Sequence, residues 1–65
     1  MELGRNIREF RKEKNWTQAE LAKRLFISQD TISLWELNKS LPDLNSLLKL
    51  CDLFDVTPDY LLGFK

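Results

Sequence analysis

The chain has 65 residues, of which 43% are hydrophobic and 31% charged, so it has material for one domain with a small core. Ten basic and ten acidic side chains cancel to a formal net charge of zero, which by itself gives no support to a nucleic-acid partner. The single cysteine, Cys51, and the lack of histidine predict a chain without an internal disulfide, metal site or cofactor. No apolar segment approaches the roughly 20 residues of a membrane helix, so we expect a cytoplasmic chain without a membrane anchor.

Apolar residues at helical spacing predict a first helix over about residues 3–14. Its inward positions lie four and three residues apart, at Leu3, Ile7 and Phe10. A second helix is expected to begin after Thr17, because TQAE (17–20) fits a capping box in which the threonine hydroxyl accepts from an amide and the glutamate reaches back. We expect this second helix to bury Leu21, Ala22 and Leu25.

Phe26 stands in the tight turn that follows the second helix. A sharp reversal between two helices usually places a glycine where the backbone has positive φ. Holding a side-chain-bearing residue in that region costs on the order of 1 kcal/mol. We therefore expect Phe26 to have positive φ and its ring to compensate by covering apolar surface around Leu25.

A third helix is predicted over residues 28–37, with Ser28 as its N-cap. Helical spacing directs Ile32 and Trp35 inward. Asn38 follows as a left-handed cap, because asparagine tolerates positive φ better than most residues with a side chain.

Two further helices complete the prediction. Asp43 is expected to cap a fourth helix, whose apolar stripe consists of Leu44, Leu47, Leu50, Cys51 and Phe54. Thr57 followed by Pro58 predicts a short fifth helix that ends at Gly63. Since no segment has a strand pattern, the fold class is all-α: a compact bundle of five short helices, forming one domain over residues 1–65.

Three segments carry a family resemblance that covers nearly the whole chain. They read TQAELAKRL (17–25), SQDTISLWELNKS (28–40) and LLKLCDLFDVTPDYLL (47–62). Together they resemble the helix-turn-helix domain of the phage repressor and Cro class, a lambda-repressor-like DNA-binding domain. The resemblance implies that residues 17–37 are the helix-turn-helix proper, and that the third helix lies in the major groove of DNA.

The same resemblance assigns candidate site residues. Contacts with base edges are expected from the outward face of the third helix, at Gln29, Asp30, Ser33 and Leu34. Contacts with phosphates are expected at the two ends of the motif, from Gln18, Ser28, Thr31, Asn38, Lys39 and Ser40. A structural salt bridge is expected between Arg11 in the first helix and Glu36 at the end of the third.

The function implied is sequence-specific transcriptional regulation, expected to be repression, by a homodimer on a palindromic operator in double-stranded DNA. The dimer contact is expected in the C-terminal helices, with Leu53, Pro58 and Leu62 as candidates.

Leu34 and Leu37 stand where family members commonly carry charged or amide residues. A protein-interaction module of the same fold, docking through Leu34, Leu37 and Leu53 without DNA, is therefore the alternative. An enzyme is not expected, because histidine and a glycine-rich phosphate loop are both missing.

Overall fold

Five short helices make up the chain in the computed structural model, which describes residues 2–64. In chain order they are α1 (Leu3–Glu13), α2 (Gln18–Leu25), α3 (Gln29–Glu36), α4 (Leu44–Phe54) and α5 (Pro58–Leu62). No strand occurs within the described range, so the predicted all-α bundle is confirmed. None of these helices has the length and apolar character needed to cross a lipid bilayer.

Side-chain caps start the last four helices where the sequence predicted them. Thr17 accepts from the Glu20 amide at 3.0 Å, and the Thr17 amide donates to the Glu20 carboxylate at 2.8 Å, which completes a capping box. The bond from the Thr17 backbone holds the pKa of the Glu20 carboxyl below its usual value. Hydrogen bonds from the side chain and backbone of Ser46 do the same for the pKa of Asp43. The capping residues are Thr17, Ser28, Asp43 and Thr57.

Most of the helices are followed by a residue with positive φ, and Gly63 is the one glycine among these residues. Phe26 (φ 59°) and Asn38 (φ 57°) take the positive φ predicted for them, and Asp55 (φ 56°) does so without having been predicted. The ring of Phe26 is 92% exposed, so the expectation that it covers apolar surface around Leu25 is wrong. At such a helix end the apolar contact comes from the following residue, here the half-buried Ile27, whose amide bonds to the Ala22 carbonyl at 3.0 Å.

The core receives at least one side chain from every helix. Its buried apolar members are Leu3, Ile7, Leu21, Ala22, Leu25, Ile32, Trp35, Leu50, Cys51, Phe54 and Leu61. Burial raises the pKa of the Cys51 thiol. The prediction that Leu44 belongs to the buried stripe of α4 is wrong, since Leu44 is 71% exposed. Periodicity assigns the face of a helix, but it does not show whether a neighbour extends far enough to cover the first turn.

Candidate nucleic-acid interface

The candidate recognition helix, α3, begins at a hydroxyl pair. Ser28 accepts a hydrogen bond from the Thr31 amide at 3.3 Å, and the two side-chain oxygens lie 2.9 Å apart. This cap satisfies one of the free amides of the first turn. Both hydroxyls, predicted to contact phosphate, therefore already take part in the local structure of α3.

The outward face of α3 carries the residues predicted to contact bases. Gln29, Asp30 and Leu34 are exposed, and Ser33 is half-buried. Ile32, on the opposite face, is completely buried. A polar first turn is thus presented to the outside on a helix whose inner face is fixed in the core.

Arg11 and Glu36 form an ion pair inside the protein. The Arg11 Nε donates to Glu36 Oε2 at 2.7 Å and its Nη2 donates to Oε1 at 3.2 Å, while the side chains are only 10% and 5% exposed. Arg11 Nη1 donates to the carbonyl oxygen of Trp16 at 2.9 Å, so each of the three guanidinium nitrogens makes a hydrogen bond. The amide nitrogen of Gln18 adds a bond to Glu36 Oε1 at 3.1 Å. This network joins α1 and the start of α2 to the last residue of α3.

Gly4 lets α1 approach the end of α3 closely. A Cβ at this position would lie 2.5 Å from the Trp35 carbonyl oxygen and 2.6 Å from that of Glu36. The Gly4 amide donates to Oδ1 of Asn38 at 3.1 Å. Sequence reasoning missed this contact; the available signal was a glycine inside an otherwise regular amphipathic helix, which usually has a packing reason.

The predicted phosphate contacts after α3 lie in a turn that folds back on the helix. The amides of Lys39 and Ser40 donate to the Leu34 carbonyl at 2.9 and 3.4 Å. Lys39 is exposed and Ser40 is half-buried. The side-chain oxygen of Asn38 accepts the hydrogen bond from the Gly4 amide, so the hydrogens on the side-chain nitrogen of Asn38 remain as donors. Gln29 begins α3, and Lys39 lies in the turn beyond its other end.

A basic stripe on α1, made of Arg5, Arg8 and Lys12, was not predicted. These exposed side chains line one surface depression beside α3, together with Glu9 and Glu36. The signal in the sequence is their spacing of three and four residues, which places them on one side of a helix. The stripe gives a positive local charge to a chain whose net charge is zero.

Comparison with known proteins agrees with this geometry. A family model described as helix-turn-helix matches residues 7–61. The HTH-type transcriptional regulator ImmR of Bacillus subtilis (strain 168) is 41% identical over 63 residues, which are 97% of this chain and 50% of ImmR. This chain thus spans about half the length of that relative.

Two solved structures have the same fold. The P22 c2 repressor in complex with synthetic operator 9T in the presence of Tl+ superposes with a TM-score of 0.89 at 36% identity, over 97% of this chain and 96% of that one. The master regulator for biofilm formation SinR, in complex with DNA, gives a TM-score of 0.83 at 31% identity, over 94% and 98%. The family match over most of the sequence, together with this agreement in structure, shows that the chain belongs to the helix-turn-helix family.

Proposed function

We propose that this chain is a sequence-specific, DNA-binding transcriptional regulator that reads the major groove of double-stranded DNA with α3. The observation that carries the proposal is the exposed polar first turn of α3, on a helix whose far end is held by the buried Arg11–Glu36 pair. A fixed orientation matters because base readout requires side chains to meet base edges at hydrogen-bond distance. Support comes from the two structural neighbours, which are both described in complex with DNA.

Direct base contacts are assigned to the outward face of α3. An amide such as that of Gln29 suits the paired donor and acceptor of adenine, and the carboxylate of Asp30 suits the amino group of cytosine. Leu34 offers an apolar contact for a thymine methyl group. Ser33 is half-buried, so its hydroxyl reaches a base edge only at close approach.

Phosphate contacts are assigned to the flanks of α3 and fix its position on the duplex. On one flank the free amides at the start of α2 and α3 favour an anion, near Gln18, Ser28 and Thr31. On the other flank lie Asn38, Lys39 and Ser40. We add the basic stripe Arg5, Arg8 and Lys12, which supplies the positive charge that the composition as a whole does not.

A homodimer on a palindromic operator is part of the proposal. Half-sites read by such dimers lie about 34–36 Å apart, whereas the longest extent of the Cα trace is 29 Å. Two copies on neighbouring half-sites would therefore meet over a small area. Of the three predicted contact residues, Leu53 and Leu62 are half-buried against the core, and Pro58 is exposed. Leu44 and Leu48 of α4 are larger apolar side chains that are also exposed. We assign the dimer contact chiefly to Leu44 and Leu48.

The protein-interaction module remains the second candidate, because Leu34 and Leu37 are both exposed at the recognition surface. Its third proposed contact is weaker, since Leu53 packs partly against the core. As a regulator of transcription the chain would act in the cytoplasm, and we propose repression as its effect. An enzymatic function is not proposed.

Selection of bound duplexes from a random DNA pool tests the proposed function. We expect enrichment of one palindromic motif, together with an affinity that falls steeply with salt as phosphate contacts release counterions. A pool that stays random after repeated selection, with no retention at low salt, would contradict DNA binding. Binding that is retained without enrichment would contradict the sequence readout assigned to α3.

A further inference from the structure

A groove of about 380 Å³ lies between α1 and α5. On α1 it is bordered by Glu2, Glu9 and Glu13, whose spacing of seven and four residues places them on one side of the helix. Gly4 and Arg11 occupy a different side, which contacts α3. The groove therefore faces away from the helix that is proposed to read DNA.

Three aromatic residues, Phe10, Tyr60 and Phe64, line this α1–α5 groove. Phe10 is half-buried and its ring centroid lies 5.8 Å from that of Tyr60. Tyr60 and Phe64 are exposed although both line the same groove. Exposed aromatic rings that line a depression are a common feature of ligand sites.

The backbone holds the walls of the groove in place. Asn6 in α1 donates from Nδ2 to the Leu61 carbonyl of α5 at 2.9 Å. At the end of α5, Gly63 has φ 92°, and the Phe64 amide returns to the Asp59 carbonyl at 2.8 Å. A helix end closed in this way fixes the direction in which the next residue leaves. The groove is thus a formed feature of the fold.

The charged residues that line the groove within residues 2–64 are three glutamates, with no lysine or arginine. Glu2 forms an exposed ion pair with Arg5 at 3.4 Å, and Glu9 also borders the depression lined by the basic stripe. No ion pair involves Glu9 or Glu13 among residues 2–64. Carboxylates concentrate a cation near the groove, and the faces of aromatic rings attract a cation directly.

We propose that the α1–α5 groove binds a small hydrophobic organic cation, of the alkylated ammonium class. The glutamates would balance its charge, while Phe10, Tyr60 and Phe64 would contact its apolar part. The volume is at the lower end of the range typical of small-molecule sites, which suits a compact ligand. Because the groove faces away from α3, this binding is independent of DNA and adds a ligand site to the proposed regulator.

Titration of the full chain with benzyltrimethylammonium, followed by amide NMR shifts at low salt, tests this proposal without DNA. We expect saturable shifts centred on Phe10, Tyr60 and Phe64. Benzyl alcohol, which carries the same ring without charge, should give much smaller shifts. The Glu9→Gln/Glu13→Gln variant should weaken binding about fivefold or more, since both carboxylates are exposed and their removal leaves the fold intact.

A matched control distinguishes the effect of charge at the groove from the effect of the total charge of the protein. Asp52→Asn/Asp55→Asn also removes two exposed negative charges, outside the groove, and should leave the affinity unchanged. Equal weakening by both double variants would overturn the site. Shifts that do not saturate, or that benzyl alcohol reproduces, would overturn it as well.

Discussion

Arg11 and Glu36 meet in a two-point contact of 2.7 and 3.2 Å that ties α1 to the last residue of α3. Both side chains are nearly inaccessible, so neither charge has water to replace its partner. Such a pair contributes less to stability than its geometry suggests, because desolvation offsets much of the attraction. We expect its main effect here to be on the position of α3.

Arg11→Met should therefore destabilise the domain by about 3–5 kcal/mol, because it leaves the carboxylate of Glu36 buried without a cation. Arg11→Met/Glu36→Met should recover a large part of that loss, since no unpaired charge remains. The double variant should still bind DNA more weakly than the wild type. Urea denaturation of the wild type, Arg11→Met, Glu36→Met and the double variant measures the four free energies of unfolding. If the loss in the double variant equalled the sum of the two single losses, the expected recovery would be contradicted.

Gly4→Ala should destabilise the domain by about 1–3 kcal/mol, because the added Cβ would press on the carbonyl oxygens of Trp35 and Glu36. The direction of the change in stability is informative, since glycine to alanine at an exposed helix position usually stabilises a protein by about 1 kcal/mol. Lys12→Ala, on the exposed side of α1, is the control and should change stability by less than about 0.5 kcal/mol. A Gly4→Ala variant as stable as the wild type would show that α1 shifts away from α3 without cost.

Phe26→Gly should raise stability by about 1 kcal/mol, because it removes the strain of positive φ and its exposed ring gives up no burial. Phe26→Ala keeps the strain, so it should be less stable than the glycine variant. Chemical denaturation of the three proteins gives the ranking. If alanine exceeded glycine by about 0.5 kcal/mol or more, Phe26 would be in an ordinary helical conformation.

Leu44→Asp/Leu48→Asp should abolish cooperative binding to a palindromic operator and reduce any dimer seen by sedimentation. Folding should be little affected, since both residues are exposed and an aspartate at position 44 lies in the first turn of α4, where negative charge is favourable. Phe26→Asp removes another exposed apolar side chain and serves as the control, with cooperativity retained. Two half-sites that fill independently in the wild type would count against the proposed contact.

The sequence predicts the local features of this fold better than the contacts between helices. The caps at Thr17 and Asp43 and the positive φ of Phe26 depend on residues close in the chain, and all three were predicted. The exposure of Leu44 depends on which neighbours reach it, and periodicity alone gave the wrong answer. The close approach at Gly4 was missed for the same reason.

In the candidate site, too, features set by nearby residues were predicted, and contacts between distant residues were not. Helical periodicity with a buried Ile32 was enough to place Gln29 and Asp30 on the outside of α3. The bonds from Gln18 to Glu36 and from Gly4 to Asn38 join residues far apart in the sequence, so no local pattern indicated them. The roles assigned toward bases and phosphates came from the family resemblance and stay predictions.

The central claim is that α3 reads DNA sequence through its first turn, and one competition experiment on Gln29→Ala and Lys39→Ala tests it most directly. Each variant is measured on the selected operator and on random DNA over a range of salt. Gln29→Ala should lose about 1–3 kcal/mol on the operator and little on random DNA, because it removes a base contact. Lys39→Ala should lose similar affinity on both and reduce the salt slope by about 1, as a phosphate contact does. Equal losses of Gln29→Ala on operator and random DNA would contradict the claim.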